Sequence, residues 1–221
     1  MSVTCGARQR ATFALVIFAG VLLAGTGRAA NQEAEGQRGP LELVRSTTER
    51  VLEILRNPDL KGPEKKEQRR GVIREVADKR FDWRALAMRS LGRHWRNRSE
   101  EEKEEFTDLF SRLIHSTYMK KLETYSDSKV SFEGETVEED YASVQMKAKT
   151  TDGTTVPIEY RLHKVGGENG EEKADWLVYD VKIEGVSMVQ NYRTQFNEIV
   201  VGSSYKKLVE KLKKKVSASD D

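Results

Sequence analysis

Three histidines, an isolated aspartate and one arginine beside a tyrosine are the side chains whose types invite chemistry. His94, His115 and His163 lie far apart on what read as different elements, a spacing that suggests no metal centre. Asp180 interrupts an apolar strand pattern. A paired structural aspartate is the first reading; an acid or base in an enclosed site is the alternative, with His115 the other candidate. The forked donors of Arg193 suit a phosphate, or a carboxylate such as Asp180 or Glu184 that would fix the joint between strand and helix. A Gly-rich phosphate loop, a nucleophile elbow and a paired-carboxylate motif are all absent from the sequence. This inventory points to binding rather than catalysis, with no cofactor and no metal expected.

The elements that must position these residues follow from apolar periodicity. Leu41, Val44, Val51, Leu52 and Leu55 recur at helical spacing until Asn57-Pro58 stops them. Pro63 stands where a first turn tolerates it, and Val72, Ile73 and Val76 form the thin stripe of a second helix. That helix carries Lys65, Lys66, Arg69, Arg70 and Arg74, which read as a solvated face or as a surface for anionic headgroups or an acidic partner. The same pair of readings applies to Arg93, Arg96 and Arg98 around Trp95. Asp82 caps a short third helix that ends at Gly92, and Ser99 followed by Glu100, Glu101 and Glu102 starts a long fourth one reaching about Thr124. On it Phe106, Leu109, Phe110, Leu113 and Thr117 share a face that Ile114, Tyr118 and Leu122 widen. The period then falls to two: Val130–Phe132, Ala142–Ala148, Val156–Leu162 and Trp176–Ile183 read as four strands. Val156, Ile158, Tyr160 and Leu162 alternate with Glu159 and Arg161, the pattern of a sheet with one covered face. A closing helix from Met188, broken near Gly202, runs to Val216. The expected class is α+β, with helices packed on one face of a curved antiparallel sheet.

Arg8 and Arg10, the uncharged run Ala11–Ala24 and the small residues up to Ala30 have the build of a cleaved secretory signal. The run falls short of the ~20 residues of a membrane span. Cys5 precedes it, the wrong side for lipidation, and no other cysteine occurs, so the exported chain folds without disulfides. Loss of Arg8, Arg10 and Arg28 takes the formal charge from +2 to −1, which removes any bulk basicity that would favour nucleic acid. The expected organisation is a signal over 1–30, a flexible leader over 31–39, one domain over 40–216 and a flexible tail over 217–221.

Phe81-Asp82-x-x-x-Leu86-Ala87, Leu91-Gly92-x-x-Trp95, Phe106-x-x-x-Phe110 and Tyr118 occur in that order. They are followed by Trp176-x-Val178-Tyr179-Asp180-Val181-x-Ile183-Glu184-Gly185-Val186-Ser187 and Asn191-Tyr192-Arg193-x-x-Phe196. Together they resemble the MlaC family, the periplasmic phospholipid-binding component of the Mla lipid-transport ABC system, also called a toluene-tolerance auxiliary component. The charged stretch Gly166–Asp175 stands out as an insertion at a hairpin tip.

That resemblance implies a cone similar to nuclear transport factor 2 with a deep apolar cavity, and acyl chains of a phospholipid inside it. It further implies transient docking on an inner-membrane ABC transport complex and an outer-membrane lipoprotein complex, hence a part in outer-membrane lipid asymmetry. A carrier of hopanoids or other apolar lipids is the alternative within binding proteins; an enzyme on a cone-shaped fold and a structural adaptor with a filled core are alternatives of other classes. Some 30 methylenes at ~0.8 kcal/mol each put roughly 20 kcal/mol or more on excluding water from a diacyl lipid, which demands enclosure. The candidate lining comprises Phe110, Leu113, Ile114 and Tyr118 of the long helix, Tyr160, Tyr179, Val181 and Ile183 of the strands, and Val189, Tyr192, Arg193 and Phe196 of the closing helix. For each of these, packed core is the competing reading.

Overall fold

The computed structural model describes residues 39–166 and 174–220. The signal, the leader up to residue 38 and most of the Gly166–Asp175 insertion lie outside them. Helix α1 (Pro40–Arg56) starts on a proline at its first position and stops before Pro58, where the missing N–H and fixed φ end it. Two short 3-10 turns at Pro58–Leu60 and Pro63–Lys65 lead into α2 (Lys66–Asp78).

Asp82 caps α3 (Trp83–Leu91) by accepting from the Ala85 N–H at 2.8 Å. Gly92 ends it at φ +60°, a conformation that disfavours any side chain. After a 3-10 turn, Ser99 and Glu102 form a reciprocal capping box, with bonds of 3.2 and 3.0 Å, at the start of α4 (Glu100–Glu123).

Five strands, β1 (Lys129–Glu138), β2 (Tyr141–Lys149), β3 (Thr155–Val165), β4 (Asp175–Ile183) and β5 (Val186–Ser187), pair antiparallel in chain order. The α+β expectation holds, with two differences. β1 runs on to Glu138, past a bulge at Glu133 and through residues too polar and exposed to show alternation. β5 is two residues long, too short to leave a periodic signal. The covered face is real: Val144, Leu162, Val178 and Val181 join the helical core, whereas Glu159, Arg161 and Lys182 pair with one another on the other face.

α5 (Met188–Gly202) and α6 (Tyr205–Asp220) close the chain, and α6 takes in residues 217–220, which the sequence reading had assigned to a tail. Among the described residues no helix is long and apolar enough to cross a membrane.

The basic cluster on α2 proves partly structural. Arg70 grips Glu123 at the end of α4 with a two-pronged fork (3.1 and 3.0 Å), and Arg69 adds a third bond at 3.0 Å. Arg69 also donates to the Leu60 carbonyl at 2.7 Å. These arginines are therefore not a free solvated face: α2 is fastened by them to the far end of α4.

The bonds from Arg70, helped by Arg69 and opposed by partial burial, hold the Glu123 carboxyl below its ordinary value of 4.5. A carboxyl with a lower pKa in the folded than in the unfolded chain adds stability above the unfolded value, and that stability fades as pH falls through the folded one. Glu123→Gln should therefore flatten the acid limb of stability in urea unfolding between neutral pH and about pH 3. Parallel curves for mutant and parent would remove the clasp from the account.

Candidate functional site

Short side chains on facing elements leave space where a solid core would close. Thr47, Thr48 and Val51 of α1, Ala77 of α2 and Ala148 of β2 face a cavity of about 340 Å³, within the ~300–1,000 Å³ of small-ligand pockets. Leu52, Ile73, Met146, Val156, Ile158 and Val178 add apolar walls, and Phe81, Trp83, Tyr118, Tyr125 and Tyr160 contribute rings. The cavity thus lies between α1, α2, the second half of α4 and the covered face of the sheet. Arg80, Lys121 and Glu184 are the charged residues among its lining.

Its other polar groups include the phenols of Tyr118 and Tyr160 and the imidazole of His115. Burial raises the Tyr160 phenol above its ordinary value, outweighing a hydrogen bond with Thr48. Burial likewise raises Tyr118, aided by Tyr192. His115 is pushed down by burial, against the pull of Asp78, whose Oδ1 lies 3.0 Å from its Nε2. The same oxygen accepts from Trp83 Nε1 at 2.8 Å, so His115 and Trp83 are held side by side, ring centroids 4.9 Å apart. Apart from Arg80, Lys121 and Glu184 the lining is dominated by apolar and aromatic side chains, which suits hydrocarbon.

Of the side chains named from sequence, Ile114, Tyr118, Tyr160, Val181 and Ile183 line this cavity. The others lie elsewhere. Phe110 and Leu113 are 0 % and 1 % exposed in the packed core. Phe110 meets Tyr192 and Phe196 edge-on at 5.2 and 5.6 Å, which places all three rings in one cluster. Val189 is buried at the start of α5.

The division of α4 runs along its axis: lining begins at Ile114 and ends at Leu122, whereas Phe106, Leu109, Phe110 and Leu113 before it sit in the packed core. A helical wheel merges those halves, which is why one apolar arc was visible in the sequence and two environments were not.

Tyr179 is displaced by a bulge. Leu162 pairs with Val178 and Arg161 with Asp180, so Tyr179 is the extra residue, and the inward alternation passes from Val178 to Val181 around it. Its ring instead lies under Arg89 at 4.2 Å and beside His163 at 5.4 Å.

Asp180 is structural, with partners other than expected. It accepts from Ser187 Oγ at 2.7 Å and from the Val189 N–H at 3.1 Å, fixing the entry to α5. Arg193 pairs with neither Asp180 nor Glu184; it is exposed and lies against Gly92, outside the cavity. Sequence reasoning missed the contributions of α1 and α2. Thr47, Thr48 and Ala77 read as polar or neutral positions, although Thr47-Thr48 between Val44 and Val51 was a usable sign of a short-residue face.

The family model described as MlaC protein matches residues 45–214. The intermembrane phospholipid transport system binding protein MlaC of Haemophilus influenzae is 28% identical over 103 residues, a stretch that covers 46% of this chain and 46% of that protein. A phospholipid-binding protein from Ralstonia solanacearum, solved in complex with a phospholipid, superimposes with a TM-score of 0.69 at 22% identity, over 83% of this chain and all of that one. That likeness establishes the fold.

The first half of α4 should respond to substitution as packed core does. Leu113→Trp should overpack the core and destabilise by ~1–3 kcal/mol, and Phe110→Ala should cost ~3–5 kcal/mol through lost transfer energy and a new cavity. Both are read by chemical unfolding of delipidated protein, since a bound ligand raises apparent stability. Losses well below these in both variants would place this half of α4 on open space after all.

Proposed function

The chain belongs to the MlaC family, and from that premise we propose that it is a phospholipid carrier of the bacterial periplasm, exported by its N-terminal signal. In this reading it ferries lipid between an inner-membrane ABC transport complex and an outer-membrane lipoprotein complex. The observation that carries the proposal is the largely apolar cavity between α1, α2, α4 and the sheet. The names of the Haemophilus and Ralstonia relatives support phospholipid as its occupant.

Ile114, Tyr118, Tyr160, Val181 and Ile183, with Thr47, Thr48, Val51 and Ile158, would enclose acyl chains. Each methylene taken from water contributes ~0.8 kcal/mol, so the affinity resides in enclosure. The headgroup would stay near the charged residues Arg80, Lys121 and Glu184. In this reading the role is one of binding, and Asp180 serves the frame, tied to Ser187 and the α5 backbone.

Protein purified from the periplasm should yield phospholipid on extraction and mass spectrometry. Ile158→Trp, which fills the cavity from β3, should lower lipid per protein severalfold while leaving delipidated stability close to that of the parent. Protein that is lipid-free and remains empty after incubation with vesicles would refute the carrier.

A further inference from the structure

A second concavity lies at the C-terminal end of α3, whose first residue, Trp83, lines the apolar cavity. Leu91, Gly92, Arg93 and His94, at the end of α3 and in the turn after it, face Arg193 and Asn197 on α5 across a recess of about 440 Å³. It shares no residue with the lining of the apolar cavity. Two separate parts of the sequence singled out above, Leu91-Gly92 and Asn191-Tyr192-Arg193, meet here, and the lipid site does not account for either.

The recess is built around Arg193. Gly92 has φ +60°, and a Cβ there would come within 2.9 Å of Arg193 Nε, so the absence of a side chain leaves room for the guanidinium beside the backbone. Beside it, Asn197 Oδ1 accepts from Arg93 Nη2 at 3.1 Å and lies 3.0 Å from His94 Nε2. One amide oxygen thus occupies both neighbours and orients them. Arg193 has no ion pair or hydrogen bond to any described residue, unlike Arg69, Arg70, Arg80, Arg84 and Arg98, each bonded to a carboxylate. Glu198 also lines the recess without bridging to either arginine, which leaves the two cations and one anion a net positive charge. An exposed planar donor fork left unmatched is suited to an oxyanion.

We propose that this recess is a docking socket for a protruding acidic side chain of a protein partner. Charge selects the occupant: two arginines against one glutamate, between α5 and the turn after α3, suit a carboxylate carried on a side-chain stem. Because the socket and the cavity are separate, a partner can be held while lipid is bound or released.

The test uses N-acetyl-hexaglutamate as probe, titrated into the ¹⁵N-labelled full-length mature protein at low salt. Saturable amide shifts are expected at Gly92, His94, Arg193 and Thr194, weakening with added salt as exposed charges are screened. Arg193→Gln should weaken the apparent affinity roughly three- to tenfold, with Arg93→Gln as the second variant, while Lys65→Gln leaves it unchanged. Neither recess variant should alter lipid content, which separates failure here from failure of the carrier reading. Shifts that are absent, centred elsewhere or indifferent to both arginine variants would overturn the socket. So would displacement of the peptide by phosphatidylglycerol vesicles, which would make the site a membrane contact.

Discussion

Phe106 and Phe110 stack at 6.0 Å, and Phe196 meets both edge-on at 5.6 Å, with Tyr192 closing the cluster against Phe110. This aromatic joint pins the first half of α4 to α5, each such pair adding ~0.5–1.5 kcal/mol beyond area burial. Everything that makes the cavity possible depends on it. A helix anchored over its first half can present Ile114, Tyr118 and Leu122 of its second half to the cavity. The empty volume weakens the fold locally, and the dense cluster offsets that cost.

Polar ties then hold the walls that the missing core cannot. At one end of α2, Asp78 joins His115 and Trp83; at the other, Arg69 and Arg70 close on Glu123. α2 contributes only Ile73 to the buried set and would have little reason to stay in place by hydrophobic contact alone. The division of labour is physically sensible: directional bonds fix the frame, and short apolar side chains keep the interior unfilled and chemically indifferent to which hydrocarbon enters.

Much of this was legible beforehand, and the failures have causes. Caps at Asp82 and Ser99, the stop at Asn57-Pro58 and the alternation of Val156 to Leu162 are local signals, and the structure agrees with them because no distant contact overrides them. The motif resemblance pointed to the family, and the enclosure argument followed from transfer energies. Which apolar residue faces space and which faces atoms is a different kind of fact. Phe110 and Ile114 are one turn apart, equally apolar and both buried, yet only Ile114 reaches the cavity, because the rings of Tyr192 and Phe196 on α5 cover Phe110. Tyr179 was misplaced by a one-residue bulge that reverses its parity, and no property of its neighbours announces that. Arg193 was read as a partner of the strand because it follows it in sequence, whereas the chain turns it toward Gly92.

The central claim, that hydrocarbon occupies the space between α1, α2, α4 and the sheet, can be read from a single ring. Trp83 lines that space, while Trp95 and Trp176 are buried away from it. Loading delipidated protein with phosphatidylcholine brominated along its acyl chains should quench the fluorescence of Trp83, and Trp83→Phe should abolish most of that quenching while lipid uptake persists. Quenching that is undiminished in Trp83→Phe would put the acyl chains against another part of the molecule and contradict the account.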